Sequence, residues 1–381
     1  MSNLPGATIT HIVGDFVRAG LVSETQSEES SGGRPPVLLA INPGAGHVAG
    51  VKLRENGMTV AICDLGCNVV HHVEAPIAPS AVPYQAVETI AAAVESCIGE
   101  AGITRSGVLG AGIGLSGLID SARGICRRSA ILDWTDFELG PALEYELRVP
   151  VRVDNDVNTL AVAERHFGAG RDASDFLLVT IGRGVGLGVV VGGEIYRGAH
   201  GGAGEFGHMT VDTSESAAPC NCGKLGCLEA IASDYGILRA ATGEDPGHHV
   251  EEAMSALLGR AREGDVRVRA IFARAGNALG VALANLVNIF DPNLLIVGGE
   301  GLRAGDLITG PLLATLPRHL FGRTGNEVRV EMHPTTDVEW ARGAASLVLR
   351  EVFRTPIYET GEDPVIDTLL APRPSRARKR G

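Results

Sequence analysis

A chain of 381 residues that is 45% hydrophobic, 4% aromatic and carries 51 glycines has the composition of a globular α/β protein of two or three domains, which excludes a disordered chain. Its net charge of −12 excludes a body that holds nucleic acid by bulk positive charge. No run approaches the length of a membrane span and the start lacks the basic-then-apolar pattern of a secretory signal, so cytoplasm is the expected compartment; the seven cysteines are expected to stay reduced and to mark metal before disulfides.

Residues 7–20, ATITHIVGDFVRAG, set Ile9, Ile12, Val13, Phe16 and Val17 at helical spacing, with Thr8, Thr10, His11 and Asp15 on the other face. Gly20 is a C-cap candidate, LVSE reads as a short strand, 24–33 as a polar turn and RPPVLLAI as a second strand. This pattern suits either the back half of a winged helix–turn–helix or a plain helix and hairpin of the main domain. From Val48 a β meander follows (VAGVKL, MTVAICDL, NVVHHVEA), with turns at 55–57 and at Gly66. An amphipathic helix over 84–100, the buried strand VLGAGIGLSG, a helix beyond Trp134, the strand PVRVDND and the helix NTLAVAERHFG come next. A second meander, FLLVTIGRGVGLGVVVGGEIYRG, precedes helices from about 249, a long helix over 266–289, the strand LLIVGG and a last helix, DVEWARGAASLVLREVF. A meander followed by helices and strands thus occurs twice, which predicts a two-lobed α/β protein with a ligand cleft. The closing PRPSRARKRG has five basic residues and no acid, and is predicted to be a disordered tail.

Residues 201–230, GGAGEFGHMTVDTSESAAPCNCGKLGCLEA, hold His208, Cys220, Cys222 and Cys227 in the spacing H-x11-C-x-C-x4-C. Three thiolates and an imidazole make a closed tetrahedral zinc site, and cysteines one residue apart cannot span a relaxed disulfide. Gly223 and Gly226 permit the tight turns such a loop needs. Glu205 and Glu229 flank the metal loop, where a pinned carboxylate suits hydroxyl-rich ligands.

These pieces, together with GLSG at 114–117, VDNDVN at 153–158, GVGLG at 184–188, GAHGGAGEFGHM at 198–209 and DPNLLIVGGEG, resemble the ROK family of bacterial repressors, open reading frames and sugar kinases, and its repressor branch in particular. The resemblance runs from about residue 4 to 353 and implies a two-lobed actin-like, hexokinase-like ATPase fold with a partial N-terminal winged helix–turn–helix. Carried over by motif, Asn155 and Asp156 match the pair that holds sugar hydroxyls, and in the kinases that aspartate is the general base. Glu205 and Glu229 match the other sugar-holding carboxylates, His208 a zinc ligand close to the sugar, and Gly117 a backbone position lining the same pocket. VDNDVN also suits a helix N-cap, which is compatible with ligand binding. The apolar Ile131 and Leu132 stand near an asparagine of many relatives, which implies a smaller sugar or one with an apolar group.

Departures from the kinase pattern separate the alternatives. Kinases of the family resemble DIGGTK after the first strand; aligned on Gly50, this chain has Lys52 in place of the metal-binding aspartate, Arg54 and Glu55 in place of two glycines, and Asn56 in place of the threonine. The second phosphate loop, GTG in kinases, is GRG here with Arg183 in the middle. Loss of the metal aspartate removes the charge neutralisation that phosphoryl transfer depends on. The expectation is therefore a sugar-responsive repressor that binds a sugar or sugar phosphate and, as a homodimer or homotetramer, operator DNA; a glucokinase-like ATP-dependent kinase, or a sugar-binding remnant with neither activity, is the alternative. The expected domains are a partial winged helix–turn–helix over 1–36 whose first two helices lack a counterpart, lobes over 37–152 and 153–353, and the tail 354–381. Thr8, Thr10 and His11 are the expected base-reading residues, although 1–36 carries four acids against two bases, a balance that works against phosphate contacts. No membrane partner is expected.

Overall fold

The computed structural model describes residues 6–26, 37–77, 82–247, 249–322 and 328–353, with side chains left out at 6–9, 12, 25–26, 37 and 353. The predicted tail 354–381 and most of the predicted turn at 24–33 lie outside the described residues. The chain divides into two compact units, one formed by Met1–Gly117, Ser121–Asp154 and Ala341–Gly381, the other by Leu118–Asp120 and Asn155–Trp340.

The first unit begins with α1 (Gly6–Arg18). The helix ends where Gly20 turns left-handed at φ 72: its N–H donates to the Val17 carbonyl at 3.0 Å and that of Leu21 to the Phe16 carbonyl at 2.9 Å, the paired bonds of a Schellman cap. Strands β1 (Val22–Gln26) and β2 (Val37–Ile41) then pair antiparallel, Val22 opposite Ile41. The apolar period does form a helix, but among the described residues Phe16, Val17, Leu38, Leu39 and Ile41 stay exposed rather than packing into a core.

The unit's main sheet has the order β10-β6-β3-β4-β5, from β3 (His47–Arg54), β4 (Gly57–Asp64), β5 (Val69–Pro76), β6 (Val108–Leu115) and β10 (Val151–Asn155). Strands β3, β4 and β5 form an antiparallel meander, and β6 lies parallel to β3. All eight residues of β6 are buried, whereas β5 alternates between half-buried and exposed, as an edge strand should. Between them run α2 (Pro83–Glu100), β7 (Leu118–Asp120, counted with the second unit), a β8–β9 pair (Ile125–Ser129 with Trp134–Phe137) and α3 (Leu139–Leu147). Gly50 of β3 and Gly112 of β6 stand opposite each other in register. A Cβ at Gly50 would meet the Ala341 carbonyl oxygen at 2.0 Å, and one at Gly112 the Ala344 carbonyl oxygen at 1.8 Å. The C-terminal helix, Asp337–Phe353, therefore lies backbone-close on this sheet because both positions lack side chains.

The second unit repeats the arrangement. After α4 (Asp156–Phe167), the strands β11 (Phe176–Ile181), β12 (Val185–Val191) and β13 (Glu194–Ile195) form the antiparallel meander, and β14 (Leu294–Gly298) and β15 (Arg329–His333) extend it in parallel on β11, giving the order β13-β12-β11-β14-β15. The helices α5 (Glu229–Ala232), α6 (Asp234–Thr242), α7 (Val250–Arg262), α8 (Val266–Phe290) and α9 (Asp306–Thr315) fill the connection and flank β14 in sequence; the C-terminal helix is α10. One sequence expectation is corrected here: α8 is long and apolar enough to cross a membrane, but more than half of its most apolar stretch is buried. Phe272, Leu279 and Leu283 are inside the unit's main core, so its hydropathy is that of a buried core helix.

Candidate metal centre and adjoining carboxylates

The metal loop is folded by its own backbone. Gly223 and Gly226 have φ values of 89 and 70, Cys220 donates its N–H to the Lys224 carbonyl at 2.9 Å, and isolated bridges join Thr210 to Cys227 and Pro219 to Leu225. A Cβ at Gly226 would meet the Asp212 carbonyl oxygen at 1.8 Å, so glycine is required at this turn. Ligand atoms of His208, Cys220, Cys222 and Cys227 all lie within 4.8 Å of one another. His208 Nδ1 stands 3.6 Å from Cys220 Sγ, and Cys222 Sγ stands 3.7 Å from Cys227 Sγ. A tetrahedral ion with metal–sulfur bonds of about 2.3 Å requires sulfur–sulfur edges of about 3.8 Å, so the donor set fits a structural metal. Burial pushes the Cys220 thiol up to about 12, so the loop must shed protons when it takes a cation.

The carboxylates sit on this loop's rim. Glu229 opens α5; one oxygen accepts the Val185 N–H at 3.2 Å, and the other stands 3.9 Å from His208 Nδ1 and 3.8 Å from Cys220 Sγ. Glu205 lies 3.8 Å from the opposite ring nitrogen of His208. Burial raises the Glu205 pKa, and the charges of Glu229 and Asp156 add to the rise while His208 opposes it. Asn155 caps α4, its side-chain oxygen accepting the Val157 N–H at 2.9 Å, and Asp156 is 7% exposed with an oxygen on the same N–H at 2.9 Å. The second unit thus sets Glu205 and Glu229 against opposite ring nitrogens of His208, with Asp156 close enough for its charge to act on Glu205, and the N-cap reading of VDNDVN holds alongside. Carboxylates accept and do not donate, so they are matched by the hydroxyl groups of a polyol. Gly117 belongs to the first unit, where its φ of 140 and an approach of 2.3 Å between a Cβ and the Arg128 carbonyl oxygen leave room for no other residue.

Two loops differ from what a phosphate would need. In the first unit, Glu55 and Asn56 form the two-residue turn joining β3 to β4, and Arg54 reaches to within 3.8 Å of Glu74. In the second, the β11–β12 turn at 182–184 places the Arg183 guanidinium over the Tyr235 ring, 5.1 Å from its centroid. Glu300 accepts the Arg183 N–H at 3.1 Å. Glu300 was not singled out from the sequence; the available signal was an acid inside the glycine run VGGEG. The buried Asp234, which accepts from Arg303 at 2.5 Å, was also missed.

On α1, Thr10 and His11 are exposed, whereas the Thr8 side chain lies outside the described residues. His11 Nδ1 stands 3.1 Å from an Asp15 oxygen, and Arg18 bonds the other oxygen of Asp15. The bond from Arg18 is the main cause holding the Asp15 carboxyl below its usual range.

Two units that each carry an antiparallel meander extended by parallel strands define the class: this is an α/β protein of the actin-like, hexokinase-like ATPase fold. The ROK family model matches residues 48–351, and the chain belongs to the ROK family. It is 32% identical over 374 residues to a putative xylose repressor from Caldicellulosiruptor sp. strain Rt8B.4, covering 93% of this chain and 91% of that protein. A glucokinase from Halalkalibacterium halodurans is 38% identical over 243 residues, which covers 60% of this chain and 72% of the kinase. Among solved structures, a ROK transcriptional regulator described as a homologue of the E. coli MLC protein aligns with a TM-score of 0.76 at 25% identity, over 96% of this chain and 90% of that one. The similarity therefore spans nearly the full length with repressors and a shorter region with the kinase.

Proposed function

We propose that this protein is a cytoplasmic, sugar-responsive transcriptional repressor. In this reading Asn155, Asp156, Glu205 and Glu229 hold the sugar hydroxyls. His208, Cys220, Cys222 and Cys227 hold a structural zinc that pins Glu229 and Glu205. The zinc supplies no chemistry beyond fixing the loop. Residues 1–36 form the DNA-reading part, with Thr8, Thr10 and His11 toward base edges, and sugar binding shifts the population of DNA-competent homodimers or homotetramers. The observation that carries the reading is the approach of Glu205 and Glu229 to His208, with the charge of Asp156 acting on Glu205, a cluster of carboxylates paired with nearly full-length similarity to repressors.

A second reading, a sugar kinase with Asp156 as general base, draws on the higher identity of the glucokinase match. Lys52, Arg54, Glu55 and Arg183, which stand where phosphates and their metal would bind, oppose it. Titration calorimetry with pentoses and hexoses, combined with gel-shift assays on DNA from the region around its own gene, tests the proposal. Saturable sugar binding that alters DNA retention supports it. An absence of both would sink it, and ATP-dependent turnover lost on Asp156→Asn would install the kinase.

A further inference from the structure

The turn between β11 and β12 is built like a receptor for an anion, but the protein already fills it. Gly182 and Gly184 open the backbone on either side of Arg183. A Cβ at Gly182 would stand 2.2 Å from Glu300 Oε1, and one at Gly184 would stand 2.8 Å from Glu229 Oε2. The glycines therefore make room for two carboxylates of the protein itself. Glu300, from the turn after β14, takes the Arg183 N–H at 3.1 Å; Glu229, from the first residue of α5, takes the Val185 N–H at 3.2 Å. Two amides of the turn are thus capped by carboxylates of the protein.

We infer that Glu300, with Glu229, excludes phosphate-bearing molecules from this turn, and that the ligand of the adjoining site is an uncharged sugar rather than its phosphate ester. The inference rests on the sugar-sensing reading for the identity of the ligand, but not for the closure of the turn. An incoming phosphate would have to displace a carboxylate from each amide and then lie beside both, and like charges at such range repel by far more than thermal energy. The nearby cations give little relief. Arg303 is bound to the buried Asp234 at 2.5 Å, Arg239 to Asp245 at 2.9 Å, and the Arg183 guanidinium lies over Tyr235. Glu229 serves both sides: one oxygen closes the turn and the other faces the metal loop, so the hydroxyl-reading rim and the closed turn are held by a single side chain. Glu300 is the residue dedicated to exclusion, since its carboxylate fills the space beside Gly182.

The test is titration calorimetry on the full zinc-loaded chain with xylose, glucose and N-acetylglucosamine, with the 6-phosphates of the two hexoses, and with Mg-AMPPNP. Wild type is expected to bind a neutral sugar, to bind the corresponding ester at least about tenfold more weakly, and to give no heat with Mg-AMPPNP. Glu300→Gly, which vacates the amide and the space, is expected to improve binding of an ester or of Mg-AMPPNP by about tenfold or more, with neutral-sugar affinity as the reference. Glu300→Gln keeps the hydrogen bond and removes the charge, and is expected to gain about threefold. Melting curves check that both variants fold; if Glu300→Gly does not, Glu300→Gln decides. Wild type binding an ester as tightly as the sugar overturns the inference, as does the absence of any gain in the folded variants. If wild type binds neither sugar nor ester, the sugar-sensing reading fails, and the variants' response to Mg-AMPPNP still decides whether Glu300 closes the turn.

Discussion

Glu229 and His208 stand 3.9 Å apart, carboxylate oxygen to Nδ1, so a proposed sugar ligand and a proposed metal ligand touch. Only the second oxygen of Glu229 is held outside the metal loop, by the Val185 N–H, so a loop that loosens takes away one of the two constraints on this side chain. Removing the metal should therefore damage two properties at once. Stripping with a strong chelator, or Cys222→Ser, is expected to lower Tm by about 5 °C or more and to weaken sugar binding by about tenfold. Glu229→Gln should weaken the sugar similarly while metal content, read by plasma emission, stays at one ion per chain. Retained sugar affinity in the stripped protein would show that the loop and the ligand are independent.

Asp156 is 7% exposed at the first residue of α4, beside the N-cap Asn155. If it holds a sugar hydroxyl as a fixed acceptor, Asp156→Asn should cost about tenfold or more in sugar affinity, because an amide returns a donor where only an acceptor serves. The same experiment, run as a coupled assay with Mg-ATP and several hexoses, should show no turnover above background in either protein. Turnover in wild type that the substitution abolishes would reverse the functional assignment.

How much of this was legible beforehand follows from how each feature is encoded. The metal ligands lie within 20 residues of each other and their chemistry restricts spacing, so the cluster could be read from the sequence alone. The same holds for the Asn155 cap, a local side-chain bond to Val157. The two meanders were visible because β strands and turns follow period and glycine. Glu300 was invisible for the opposite reason. Its partner, Arg183, is 117 residues away in sequence, and nothing local distinguishes an acid that caps a distant amide from one that faces solvent. The β8–β9 pair and β15 are short and only partly apolar, so their pairing is decided by tertiary neighbours rather than by their own pattern. The helical period of α1 was legible and the helix is there, but period alone does not say what its apolar face meets.

Asp234 is 3% exposed and its pKa is raised, first by burial, against the opposing charge and hydrogen bond of Arg303. A carboxyl whose folded pKa lies above its unfolded value loses stability as pH rises through the folded value, and has its full contribution below the unfolded one. Arg303→Ala removes the cation bonded to it among the described residues and should push that pKa higher still. Denaturant unfolding is expected to show a loss of about 3 kcal/mol at pH 8. The deficit should shrink as pH falls toward the ordinary carboxylate value of 3.8, because a protonated Asp234 no longer needs a partner. A deficit that does not vary with pH would assign the loss to the packing of the Arg303 side chain instead.

Gly50 and Gly112 are paired in register beneath the carbonyl groups of Ala341 and Ala344. No rotamer can relieve a Cβ placed 1.8 Å from a backbone oxygen, so at Gly112 either α10 lifts or β6 shifts. Overpacking of this kind costs about 3 kcal/mol, and Gly112→Ala is expected to lower Tm by about 6 °C or more. Gly50→Ala should behave alike, since its nearest contact, 2.0 Å, is also backbone. The two losses should not add: once α10 has moved for one methyl group, the second meets less resistance, and a double-mutant cycle should give a coupling of about 1 kcal/mol or more. Additive losses would mean that the strands yield separately and the helix stays in place. That would place the rigidity of this unit in α10 rather than in the buried strand β6.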